Sequence, residues 1–344
     1  MPCSVPFRAV RPLARLALIG GAGVVALASC GGDDGSRLTI YSGRSEELVG
    51  PLLQRFSDAT GIKIDVLYGD SADVALQIDA EGDETPADVF LSQAPGPLGF
   101  LDAGDRFAAL PLDVVEQVEP EYRADDDQWI GVSARARVLA FDPSRTPEDT
   151  LPASVLDLTD PQYEGRVGVA PPNASFQDWV GALRVEIGDE ATSDLLAGLV
   201  ANDVQTYPNN VAIVDAIARG EVDYGLVNHY YVLELTEQDP DLGVENHFFP
   251  ADDPGSLVLV SGVAVLDTTD QTDEATRFVE FLLSSDAQQY LADETREFPL
   301  AGGVEPVGDL PPLAGVAAGT VDLAELGASF ATTRQLIEDA GLEG

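Results

Sequence analysis

The sequence predicts an α/β protein of two lobes, each a mixed, mostly parallel sheet flanked by helices, with two long strands crossing between them. Three observations carry this. Strand and helix patterns alternate from Arg37 to Leu91, a second alternating series follows residue 165, and two long β-prone runs, 129–141 and 257–266, stand where crossovers are needed. Alternating strands and helices imply parallel pairing with helices outside and a ligand cleft at the strand C-termini. At 344 residues there is room for two such units, and a hydrophobic fraction of 45% is ordinary for a folded body.

The first segment is a targeting signal. Arg8, Arg11 and Arg15 precede an apolar run, 16–28, that is short and glycine-rich for a transmembrane helix. Leu27-Ala28-Ser29-Cys30 follows and resembles a lipoprotein signal, with Cys30 as the lipidated first residue and 31–36 as a flexible tether. The other cysteine, Cys3, falls in the removed leader, so no disulfide is expected. The expected organisation is a leader at 1–29, a lipidated tether at 30–36, a first lobe at 37–135 plus about 261–310, and a second at 136–260 plus about 311–344.

The elements follow in order. Residues 37–42 read as a strand; Ser45 then stands as N-cap of a helix with Glu46 and Glu47 in its first turn, an apolar face of Leu48, Leu52 and Phe56, and Gly61 as its stop. A strand at 62–68, a helix at 71–81 and a strand at 87–91 complete the first series. After the run at 129–141, Leu156-Asp157-Leu158 and 165–170 lead to Pro171-Pro172-Asn173-Ala174-Ser175-Phe176, which opens a helix through Trp179 and Leu183. Helices near 193–202 and from Asn209-Asn210 to Ala218 precede a short strand, 223–228. Beyond the crossover at 257–266 lie helices at 272–283, 285–295 and 329–340.

Charge excludes some partners. Sixty acidic residues face 18 basic ones, a net charge of −42, and Lys63 is the only lysine; without the leader's three arginines, 15 basic and 60 acidic residues leave −45. Such a surface repels nucleic acid and anionic lipid, so a membrane is expected only through the anchor. With two histidines and no Gly-x-Ser-x-Gly elbow, an exported hydrolase finds little support.

The strand at 223–228 ends in Asn228-His229-Tyr230-Tyr231. Neighbouring helical positions lie about 100° apart, so at most one of the two phenols faces the core easily. Phenolate oxygen is a hard anionic donor suited to a hard ion such as Fe³⁺. His229 reads as a turn residue, and Trp129 and Trp179 as core.

Four segments occur in order: Tyr41-Ser42-Gly43-Arg44-Ser45-Glu46, Pro86-Ala87-Asp88-Val89-Phe90, Gly131 to Val138, and Asn228-His229-Tyr230-Tyr231. Together they resemble the bacterial ferric-ion-binding proteins of ABC iron importers, a branch of the two-lobed (class II) periplasmic binding-protein fold, over roughly 37–344. The resemblance implies a non-enzymatic, monomeric binder that captures Fe³⁺ between the lobes and delivers it to a membrane permease. It maps the iron ligands onto Tyr230 and Tyr231, and the anion and cleft positions onto Arg44, Arg135, Arg137, Asn173, Ala174, Ser175, Asn209, Asn228, Gln93 and Ser45. Arg135 and Arg137 share one strand face, one expected in the cleft and the other an ordinary ion-pair partner. Relatives that use His and Glu have Ser45 and Ser92 as counterparts here, and Phe176 stands where some supply a third tyrosine. An anion such as carbonate or phosphate is therefore expected to help fill the site, held by arginines and a helix N-terminus. The same fold binding a polyamine, an oxyanion, thiamine or a phosphonate is the alternative.

Overall fold

The computed structural model describes residues 37–308, 310–316 and 330–342. The leader, the tether and Cys30 lie outside them.

The first series is β1 (Arg37–Ser42), α1 (Glu46–Thr60), β2 (Lys63–Tyr68), α2 (Ser71–Glu81) and β3 (Val89–Ser92). β1 pairs in parallel with β2 and β3. Gly61 closes α1 in the left-handed conformation (φ 74°), and its N–H bonds back to the Ser57 carbonyl. Ser45 occupies the N-cap with extended dihedrals, but its side chain makes no capping bond and is exposed. Asp70 does cap α2, accepting from the Ala72 N–H. Then come α3 (Pro95–Asp102), β4 (Phe107–Ala108) and α4 (Leu112–Val115). The first of these was not anticipated, although Pro95 at its first position is a helix-start signal.

β5 (Trp129–Phe141) is the longest strand, and all of its residues are buried. Next follow β6 (Val167–Val169), α5 (Ala174–Ile187), α6 (Asp189–Ala201), β7 (Gln205–Thr206), α7 (Asn210–Ala218), β8 (Tyr224–Asn228), α8 (His229–Gln238) and β9 (Glu245–His247). Leu156–Leu158 lies within a 3-10 turn, Val155–Thr159, held by a Ser154/Asp157 capping box. α6 begins earlier than its apolar pattern suggests because Gly188, at φ 86°, breaks the chain between it and α5. β10 (Val258–Leu266), α9 (Thr272–Leu282), α10 (Ser285–Thr295), β11 (Phe298–Pro299) and α11 (Phe330–Asp339) complete the described chain.

The sheet path runs β2-β1-β3-β10-β5-β8-β6-β7. Parallel ladders form its two outer ends, and the long strands between them pair antiparallel. β5 changes partner along its length: 129–136 pair with β10, whereas 137–141 pair with β8. Its centre therefore stands where the C-terminal ends of β3 and β8 converge. The core forms two clusters, the first of which extends across β5 to Ile213 and Val214 of α7. One cluster holds Phe56, Phe90 and Phe278, with the Phe56 and Phe278 rings edge to face at 5.2 Å. The other holds Trp179, Phe176, Tyr163 and Tyr224. No helix among the described residues is long and apolar enough to cross a membrane.

Candidate functional site

The site is built where β5 changes partners. α8 starts immediately after β8, so the chain passes from buried strand to helix at Asn228 and presents Tyr230 and Tyr231 in the first turn. Their ring centroids lie 4.3 Å apart, and both side chains are half-buried. Asn228 Nδ2 donates to Tyr230 Oη at 3.5 Å. Burial, with Tyr231 alongside, raises the Tyr230 phenol above its ordinary pKa.

The inward direction of this turn belongs to His229, which is fully buried and not a turn residue. Its Nδ1 accepts from the Ala136 N–H of β5 at 3.1 Å, so Nε2 carries the proton and donates to the Arg296 carbonyl at 2.8 Å. Burial lowers its pKa to about 4, keeping it neutral. His229 thus pins the start of α8 to β5 and to the turn before β11, and the two tyrosines beside it stay half-buried.

Arg135 and Arg137 are both buried on one face of β5, as their period-two spacing requires. Neither matches the expected ordinary ion pair, because their hydrogen bonds run to neutral groups. Arg135 donates to the Gln93 carbonyl at 2.6 Å and to Ser261 Oγ at 3.4 Å. Arg137 donates to Asn228 Oδ1 at 3.1 Å, Ser175 Oγ at 3.3 Å, Asn210 Oδ1 at 3.4 Å and the Leu226 carbonyl at 2.8 Å. Burial lowers the Arg137 pKa to about 10, with Tyr230 and Tyr231 acting against that fall, so the guanidinium stays charged at neutral pH. Desolvated guanidinium groups bonded only to neutral acceptors retain charge for an anion.

α5 meets Arg137 through Ser175. Asn173 caps it, accepting from the Ser175 N–H at 3.0 Å. Ala174 is exposed and Ser175 is buried. Asn209 does not join them: it is exposed and caps α7 through the Ala212 N–H. Its neighbour Asn210 is the buried one, donating to Asn173 Oδ1 at 3.2 Å and Ser175 Oγ at 3.4 Å. The twin asparagines are offset by one residue from the sequence expectation, since a cap and an inward amide are indistinguishable in composition.

Arg44 is not open to an anion either. It donates to Ser133 Oγ at 3.0 Å and to Glu297 Oε2 at 2.9 Å in a fully buried pair, and Gln93 Nε2 donates to Glu297 Oε1 at 3.3 Å. Phe176 packs into the core at 5.5 Å from Trp179, and Ser92 Oγ bonds to the Ala94 carbonyl. Sequence reasoning missed Glu297, Ser133, Asn210 and Asp178. Only Asp178 carried a usable signal, since it lies three residues after Ser175 and so shares its helix face. Among the described residues no three His, Cys, Asp or Glu side chains gather into a metal site.

Residues 84–317 match the family model of bacterial extracellular solute-binding proteins. The chain is 30% identical to the Fe(3+)-binding periplasmic protein of Serratia marcescens, over 97% of this chain and 98% of the relative. It is 32% identical to the major ferric iron-binding protein of Neisseria meningitidis, over 89% and 93% respectively. Iron-bound HitA from Pseudomonas aeruginosa matches in three dimensions with a TM-score of 0.80 at 35% identity, over 89% of this chain and 99% of that one. The fold, the crossing strands and these likenesses agree: the chain belongs to the bacterial extracellular solute-binding proteins.

Proposed function

We propose that this protein captures Fe³⁺ without catalysis, using Tyr230 and Tyr231 as tyrosinate ligands and an anion held by Arg135 and Arg137. The observation that carries this is the pair of tyrosines at the start of α8, ring centroids 4.3 Å apart, joined through Asn228 to a buried arginine whose bonds go to neutral groups. The names of the Serratia and Neisseria relatives point the same way. A carbonate or phosphate fits the guanidinium groups together with Asn210, Asn228 and the α5 N-terminus. The lobes, 37–135 with about 261–310 and 136–260 with about 311–344, close on the ion about β5 and β10. The lipid at Cys30 holds the monomer at the extracytoplasmic face of the membrane, where it passes iron to an ABC permease.

Iron must displace the phenolic proton of Tyr230, whose pKa burial has raised, so affinity falls as pH falls. Loading with ferric citrate is expected to colour the protein through phenolate-to-Fe³⁺ charge transfer. Tyr230→Phe is expected to bleach or shift that band and weaken iron retention. A wild-type protein that stays colourless after loading, or a Tyr230→Phe variant with an unchanged band and affinity, rules the reading out.

A further inference from the structure

Asp178 lies one turn into α5, a helix whose N-terminal residues already bind Arg137 and Asn210. Its Oδ2 is buried and has no hydrogen-bond partner among the described residues. A buried carboxylate oxygen without a donor is costly, and native proteins rarely keep one unless something else is to occupy its lone pairs. The arginines nearest in charge do not occupy them, since the hydrogen bonds of Arg135 and Arg137 run to Gln93, Ser261, Ser175, Asn210, Asn228 and Leu226.

The helix aims this group. Side chains of an α-helix tilt toward its N-terminus, and residues four apart lie one above the other. Asp178 therefore leans toward the first turn of α5, which carries Ala174 and Ser175. Arg137 ties the two elements together: it bonds Ser175, three residues before Asp178 on α5, and Asn228, which in turn bonds Tyr230 Oη, and the charges of Asp178 and both tyrosines act on it. Burial raises the Asp178 pKa to about 6, against the pull of Arg135 and Arg137 and with a further push from Asp70 at the start of α2. Asp70 thus adds a like charge to surroundings that already hold the two arginines.

We propose that Asp178 is a third protein ligand of the cargo, supplying a carboxylate oxygen to a hard trivalent ion beside the tyrosines. This rests on the tyrosinate reading of the site. The charge balance supports it. With the anion's charge met by Arg135 and Arg137, two phenolates leave a trivalent cation with one uncompensated positive charge; one carboxylate removes it. The chain, which has Ser45 and Ser92 at the positions flanking the first wall, then draws its carboxyl donor from the second wall.

The test titrates ferric citrate into the wild type, Asp178→Asn and Asp178→Ser, following the phenolate charge-transfer band, with melting of each iron-free protein as the folding control. Both variants are expected to melt no lower than the wild type without iron, because each removes an unpartnered buried charge. Both are expected to hold iron roughly tenfold or more weakly and to show a shifted band. Variants that fold and keep the wild-type band and affinity overturn the assignment of Asp178 while leaving the tyrosines intact. A colourless wild type overturns the tyrosinate reading itself. If Asp178→Asn does not fold, the smaller Asp178→Ser decides; a loss of iron-free stability in both variants shows Asp178 to be structural and overturns the proposal.

Discussion

Arg44 and Glu297 stand 253 positions apart in sequence and meet at 2.9 Å in the interior. Removing one partner of such a pair leaves the other charge buried and uncompensated, so Glu297→Ala is expected to destabilise the protein by about 3–5 kcal/mol. The check is a lower denaturation midpoint at unchanged slope. Burial alone would raise the Glu297 pKa, but Arg44 and Arg135 and the bonds from Ser133 and Arg44 overcome it and hold the carboxyl below its usual 4.5. A lowered folded-state pKa contributes stability above the unfolded value and loses it as pH falls. The gap between wild type and Glu297→Ala should therefore narrow below about pH 4.5 and stay constant above it; a gap that widens in acid contradicts this. Glu297 was invisible in sequence because nothing local marks a glutamate that follows a helix as inward-facing. Its partner is fixed only by the way β11 lies against β5.

At the scale of elements, local chemistry was enough wherever a pattern repeats or a chain must stop. The apolar face of α1, its glycine stop and the strand-to-helix change at Asn228 were all legible. Failures came where one residue of register decides orientation. Asn209 and Asn210 exchange the roles of cap and inward amide, and His229 takes the interior position that the tyrosines leave. The placement of those tyrosines depends on β8 approaching α7 closely. A Cβ built on Gly225 would lie 2.1 Å from Ile213 Cγ2, so any side chain there displaces Ile213 or the helix that carries it. Gly225→Val is expected to cost about 1–3 kcal/mol by overpacking and to weaken iron retention by shifting Asn228 and the turn beyond it. Thermal melting and ferric citrate titration measure the two effects; a variant as stable as wild type would show that α7 yields without strain.

Over the whole molecule the dominant feature is charge. Sixty acidic residues against 18 basic ones repel one another across the surface, and salt screens that repulsion. Melting temperature is expected to rise as potassium chloride is added between low and molar concentration. A flat or falling curve would mean that the acidic surface is already compensated. Composition made this legible at once, and alternation made the α/β class legible. What composition and alternation could not convey was the sheet order, which arises from pairing between distant segments.

That order has a consequence for how the chain comes into being. β3 gains its second neighbour only when β10 arrives, since Val89 pairs with Val265 and Ser92 with Gly262. While residues 93–257 are being synthesised, the first three strands stand with an open edge and an incomplete apolar face. Long-range pairing of this kind folds slowly, because the closure entropy of the intervening loop comes before the contacts that offset it. A growing chain therefore cannot finish its first sheet on the ribosome until more than three quarters of it has emerged. For a member of an extracellular family, that delay leaves the first strands without their closing partner while most of the chain is made.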